Sequence, residues 1–211
     1  MCCTDIVRIV VAFTIAAIVF GALASFLLLA PSVWAHSSIN DQVGDVSSIP
    51  IYEKNIEPVV QDYHDIVSAS VQRLNAKELL LTVEVAGDPN QNTPYETVYI
   101  WVIDYPTITG NQRYTIVTPN FPPELGLQQT GWHVAIFDDK ANRWVVPLRS
   151  LGSMQGNRVE INIEPALIGS PALFWWQVYV MVGVDTATHE PPDFLMDSAP
   201  EDSSVMLVPF T

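Results

Sequence analysis

The chain has 211 residues, with 23 Asp and Glu against 9 Lys and Arg, and a formal net charge of −14. So acidic a surface repels phosphate backbones, which excludes nucleic acid as a partner. The only cysteines, Cys2 and Cys3, sit at the extreme N-terminus, so residues 36–211 contain no thiol nucleophile, thiolate metal site or disulfide.

The first element is an apolar stretch. After a short head bearing Asp5 and Arg8, no charged residue occurs from Ile9 to Ala30, and Pro31 then breaks the run. Val33-Trp34-Ala35 has the small-residue character of a signal-peptidase site, which predicts a mature start at His36. The run is also long enough to span a bilayer, so a retained N-terminal anchor is the rival expectation. Both readings keep the N-terminus in the cytosol and send the rest outside, because no Lys or Arg follows the run until Lys54. The membrane is therefore expected to meet this protein only through residues 1–35, and the location is secreted or the extracellular face of a membrane.

Residues 36–64, with Gly44, Pro50 and Pro58, show no clean period and read as an irregular lead-in. From residue 65 to 211 the period is that of strands. Asp65–Leu74 places Val67, Ala69 and Val71 opposite Ile66, Ser68 and Ser70. Asn75-Ala76-Lys77 turns this segment into Glu78–Ala86, where Leu79, Leu81, Val83 and Val85 share a face. Strands are predicted at Thr97–Tyr105, Arg113–Thr118, Trp132–Asp138, Arg143–Leu148, Arg158–Ile163 and Phe174–Asp185, separated by Gly, Pro, Asn and Asp turn residues. Val205–Phe210 reads as a last edge strand ended by Pro209. Eight or nine short strands without a long amphipathic helix predict an all-β, antiparallel two-sheet β-sandwich, preceded by the N-terminal hydrophobic helix.

His-Glu-x-x-His, Gly-x-Ser-x-Gly and Walker patterns are absent. Glu160 and Glu164 share a strand face but stand roughly 13 Å apart at about 3.3 Å per residue. Glycosidase carboxylates need about 5–9.5 Å, so these two alone are no such pair. Asp62-Tyr63-His64-Asp65 offers possible ligands, and so does the basic-free region around His189-Glu190. From the latter region the metal candidates are Asp185, Asp193 and Asp197, hard oxygen donors suited to calcium. In Phe174–Asp185, Phe174, Trp176, Val178, Val180, Val182 and Val184 make one apolar face, with Trp175, Gln177, Tyr179 and Met181 opposite. Thr97–Tyr105 likewise sets Val98, Ile100 and Val102 against Tyr99, Trp101 and Tyr105. Should the two aromatic sets share a sheet face, Trp175, Gln177, Tyr179, Tyr99 and Trp101 would form a platform on which sugar rings stack. The alternative is that they are covered and form a second core.

Asp41-Gln42-Val43-Gly44-Asp45, the strands Asp65–Val71 and Leu79–Val85, Ile103-Asp104 with Thr109-Gly110, and Asp197-Ser198-Ala199-Pro200 resemble the sequence of the secreted DOMON-like β-sandwiches. That group includes the family 9 carbohydrate-binding modules. The resemblance spans residues 41–202 through short motifs. It implies a sandwich fold and a ligand class of sugars or, in some members, haem held by Met and His; Met154, Met181 and His133 are the residues of those types here, with core filling the better reading of the methionines. Many relatives carry an acid two positions after the strand-ending Asp, where this chain has Pro106. The expectation is therefore a non-catalytic extracellular binding domain, not an enzyme, with a glycan or cell-surface component as partner. The alternative is a structural cell-envelope protein without a small ligand.

Overall fold

The computed structural model describes residues 36–49, 60–91, 95–123, 128, 130–152, 154–185, 194–200 and 206–209. The N-terminal apolar segment, with its expected helix, and the Cys pair lie outside them. Among the described residues no helix is long and apolar enough to cross a membrane.

Twelve strands run in chain order: β1 His36–Asn40, β2 Ser47–Ile49, β3 Ile66–Asn75, β4 Glu78–Val85, β5 Tyr95–Thr107, β6 Gly110–Phe121, β7 Gly131–Asp138, β8 Arg143–Gly152, β9 Arg158–Ile163, β10 Leu173–Asp185, β11 Phe194–Ala199 and β12 Met206–Pro209. Asp62–His64 and Pro165–Ile168 each form one turn of 3-10 helix. Every pairing is antiparallel. The smaller sheet has the order β1-β3-β4-β9, and the larger runs β2-β11-β10-β5-β6-β7-β8, with β12 also paired to β10. This is the all-β, two-sheet, sandwich-like fold expected from the strand periods.

The alternation decides what each sheet buries. On the smaller sheet, Val71, Leu81 and Ile161 are aligned across β3, β4 and β9, and each is fully buried. On the larger sheet, Val178, Trp101, Ile116 and Ile136 form the corresponding row across β10, β5, β6 and β7. Both rows belong to one continuous apolar core. Each large side chain in it contributes roughly 1.5–3 kcal/mol by leaving water, and no disulfide in residues 36–211 supplements that. Polar ties cross the core as well: Trp176 Nε1 donates to Ser37 Oγ at 3.2 Å, and the Tyr99 hydroxyl donates to the Tyr63 carbonyl at 2.7 Å.

Three details depart from the sequence reading. The lead-in is not wholly irregular, since it contains β1 and β2. Strand β1 shows little apolar period because it is a short edge strand whose inward residues are Ser37 and Ile39, and the buried Ser37 meets Trp176. The segment Asp197-Ser198-Ala199, read as a closing motif, lies in strand β11. In β3 the expected face breaks down near its start: Ile66, Ala69 and Val71 are buried, whereas Val67 is only half-buried. A register irregularity between Ile66 and Ser68 shifts the phase by one residue. At the far end of the larger sheet, β8 pairs with β7 through three register shifts.

Candidate functional site

The aromatic residues singled out from the sequence separate onto two faces. In the β10–β5 register, Trp176 lies opposite Ile103, Val178 opposite Trp101, and Val180 opposite Tyr99. Tyr99 and Trp101 therefore face the core, and both are fully buried. Tyr99 also packs on Trp132, with ring centroids 5.8 Å apart. They cannot stand beside Trp175, Gln177 and Tyr179, whose side chains leave the other face of the sheet. The five residues do not make one platform. The cause is parity: directly opposed residues share a face, and here even-numbered β10 residues meet odd-numbered β5 residues.

The outer face keeps a smaller aromatic set. Trp175 lies opposite Asp104, Gln177 opposite Val102, and Tyr179 opposite Ile100. One strand further, Asp104 meets Arg113, Val102 meets Thr115, and Ile100 meets Val117. The result is a three-by-three grid with Trp175 at one corner, 37 % exposed. Its polar members are held in place. Gln177 Nε2 donates to the Pro200 carbonyl at 2.9 Å, and the Tyr179 hydroxyl donates to Gln177 Oε1. Arg113 grips Asp104 with two hydrogen bonds, Nε to Oδ1 at 2.8 Å and Nη2 to Oδ2 at 2.9 Å. Burial raises the Tyr179 phenol's pKa, opposed by Arg113 and aided by Asp104, so the phenol stays a donor. Fixed amide, phenol and guanidinium groups beside an exposed indole can hydrogen-bond hydroxyls while the ring packs against an apolar surface.

The expected metal ligands fare differently. Asp193 and the His189-Glu190 pair lie outside the described residues, and Asp185 ends β10 without a described side chain. Asp197 is buried, but the acids beside it are Asp45 and Asp65. One carboxylate oxygen from each of the three lies within 4.8 Å of the others. Asp45 comes from the β1–β2 loop, Asp65 immediately precedes β3 in the smaller sheet, and Asp197 belongs to β11 in the larger. Backbone amides position two of them. The Gly44 N–H reaches Asp65 Oδ1 and Oδ2 at 3.0 and 2.9 Å. Asp197 Oδ2 accepts the Ile66 N–H at 2.6 Å, and Oδ1 accepts the Ser198 N–H at 2.8 Å. Gly44 takes φ +87°, a left-handed turn that suits a residue without Cβ. Burial lifts the Asp197 carboxyl to about 6; the Ile66 and Ser198 amides pull it down, while Asp45 and Asp65 push it up.

The remaining candidates serve the fold. His64 is fully buried; its Nδ1 accepts the Gln61 N–H at 3.3 Å, and burial lowers its pKa to about 4, leaving it neutral. Asp104, expected to end its strand, lies within β5 and is occupied by Arg113. Arg158, Glu160 and Asn162 form the exposed face of β9, with an Arg158–Glu160 ion pair of 3.0 Å. His133 is buried against Phe121, ring centroids 5.2 Å apart, and its Nδ1 lies 2.8 Å from the Gly131 carbonyl. An open cleft of about 480 Å³ lies by the β3–β4 turn, lined by Lys77, Glu78, Arg149, Asn162, Glu164 and Leu167, without an aromatic ring. No family model, curated protein or solved structure matches the chain.

Proposed function

We propose that this protein is a non-catalytic, extracellular or cell-surface binding domain that takes carbohydrate on the outer face of its larger sheet. The observation that carries the reading is the row Trp175, Gln177 and Tyr179 set against the Asp104–Arg113 pair. A pyranose ring offers an apolar C–H face and a rim of hydroxyls. The exposed indole of Trp175 suits the first, and the fixed amide, carboxylate and guanidinium suit the second. Export rests on the N-terminal sequence, and the lack of a catalytic role rests on the lack of catalytic motifs.

The test is a glycan array probed with the full chain and with Trp175→Ala. Trp175 is only 37 % exposed, so its loss should lower melting modestly while leaving the chain folded, and should weaken glycan retention at least about tenfold, roughly 1.4 kcal/mol. Wild-type protein that retains no glycan, or Trp175→Ala that binds like wild type, would overturn the proposal. Silence on the array together with self-assembly of the purified chain would favour a structural envelope protein instead.

A further inference from the structure

We propose that Asp45, Asp65 and Asp197 bind one divalent cation of the calcium class, which clamps the two sheets together. The three carboxylates come from segments remote in sequence, and their nearest oxygens lie within 4.8 Å of one another. Two oxygens bound to the same calcium, each about 2.3–2.6 Å from it, are separated by no more than about 5 Å, so the spacing admits a shared ion.

Proximity alone would not argue for a ligand. The second observation is Asp45: the residue as a whole is half-buried, but both of its carboxylate oxygens are closed off from solvent, and neither has a hydrogen-bond partner. A buried carboxylate without a partner is strongly unfavourable, and proteins neutralise such groups with a counter-charge, a proton or an ion. None of the three acids forms an ion pair with a described Lys or Arg. The Asp65 and Asp197 oxygens accept backbone amides, yet each carboxylate oxygen has a second lone pair to give. All the donors are hard oxygens, with no imidazole or thiolate among them, which favours calcium over zinc or copper.

The consequence is mechanical. Asp65 is covalently joined to β3 of the smaller sheet, and Asp197 lies in β11 of the larger. Asp45 belongs to the loop that leads from β1 in one sheet to β2 in the other. A cation shared by these three side chains fastens both sheets at one end, a role that disulfides fill in many exported domains.

The test uses the full chain, stripped with chelator and then titrated with calcium chloride by calorimetry, alongside thermal unfolding. Binding near one ion per chain is expected, and calcium at about a hundred times the dissociation constant should raise Tm by roughly 5–10 °C. Asp45→Asn should abolish both signals. In chelator it should melt no lower than wild type, since it removes one of three clustered charges. Glu160→Gln, which alters an exposed acid elsewhere, should keep the full response. Identical melting in calcium and in chelator, without heat of binding, would overturn the proposal. So would an undiminished response in Asp45→Asn, which would place the ion elsewhere on the acidic surface. The wild-type titration decides the matter by itself if Asp45→Asn does not fold.

Discussion

Gly169 tests how tightly the core is closed beneath the larger sheet. It follows the 3-10 turn Pro165–Ile168 with φ +78°, and a Cβ added there would fall far inside contact with Tyr105 Oη. That hydroxyl cannot simply swing away. Tyr105 is buried, stacked on Tyr114 with centroids 6.3 Å apart, and its O–H donates to the Ile168 carbonyl at 2.9 Å. Gly169→Ala should therefore lose about 1–2 kcal/mol to left-handed strain and about 1–3 kcal/mol from the displaced hydroxyl. About 0.4–1 kcal/mol returns through a stiffer unfolded chain. The net loss is roughly 1–5 kcal/mol, to be read from urea unfolding followed by tryptophan fluorescence. In a Tyr105→Phe background the hydroxyl is gone, and the same substitution should cost only about 1 kcal/mol. If the two costs agree within about 0.5 kcal/mol, the sites are independent and the clash argument is wrong.

Three further predictions concern the core, strand β8 and the outer face. Leu81→Ala, at a fully buried position between Val71 and Ile161, should lose about 2–5 kcal/mol in the same urea assay. Leu148→Ala, 46 % exposed, should stay within about 0.5 kcal/mol of wild type. Arg113→Ala breaks an ion pair whose arginine is 57 % exposed, and should change stability by less than about 1 kcal/mol while weakening glycan retention. A loss above about 2 kcal/mol would make Arg113 a structural residue rather than part of a binding face.

The periods of β4 and β9 are plain in the sequence because each strand has one wholly apolar side, and that side is buried. Strands β5 and β10 show where such reading stops. Each carries large apolar residues on both sides, so the pairing register alone decides which aromatic residues meet. Tyr99 and Trp101 went inward with Trp176, leaving Trp175 and Tyr179 outside. Strand β1 is not legible in the sequence because a short edge strand that turns one serine and one isoleucine inward has no clear apolar alternation. The acidic trio was legible only as separate parts. Asp41–Asp45, Asp65 and Asp197 were each singled out, but the fold is what carries Asp197 to the amide of Ile66, 131 residues away. No local spacing encodes that approach.

The three register shifts along β8 bear on how this protein can meet others. Among the described residues it is a terminal strand of the larger sheet, and the backbone row of a terminal strand is the usual template for adding a strand from another chain. Here the row is repeatedly kinked, and exposed Arg143, Pro147 and Arg149 punctuate it. Proline removes a donor, and the arginines place charge where an incoming strand would have to dry the surface. Growth by strand addition is thereby opposed along this border.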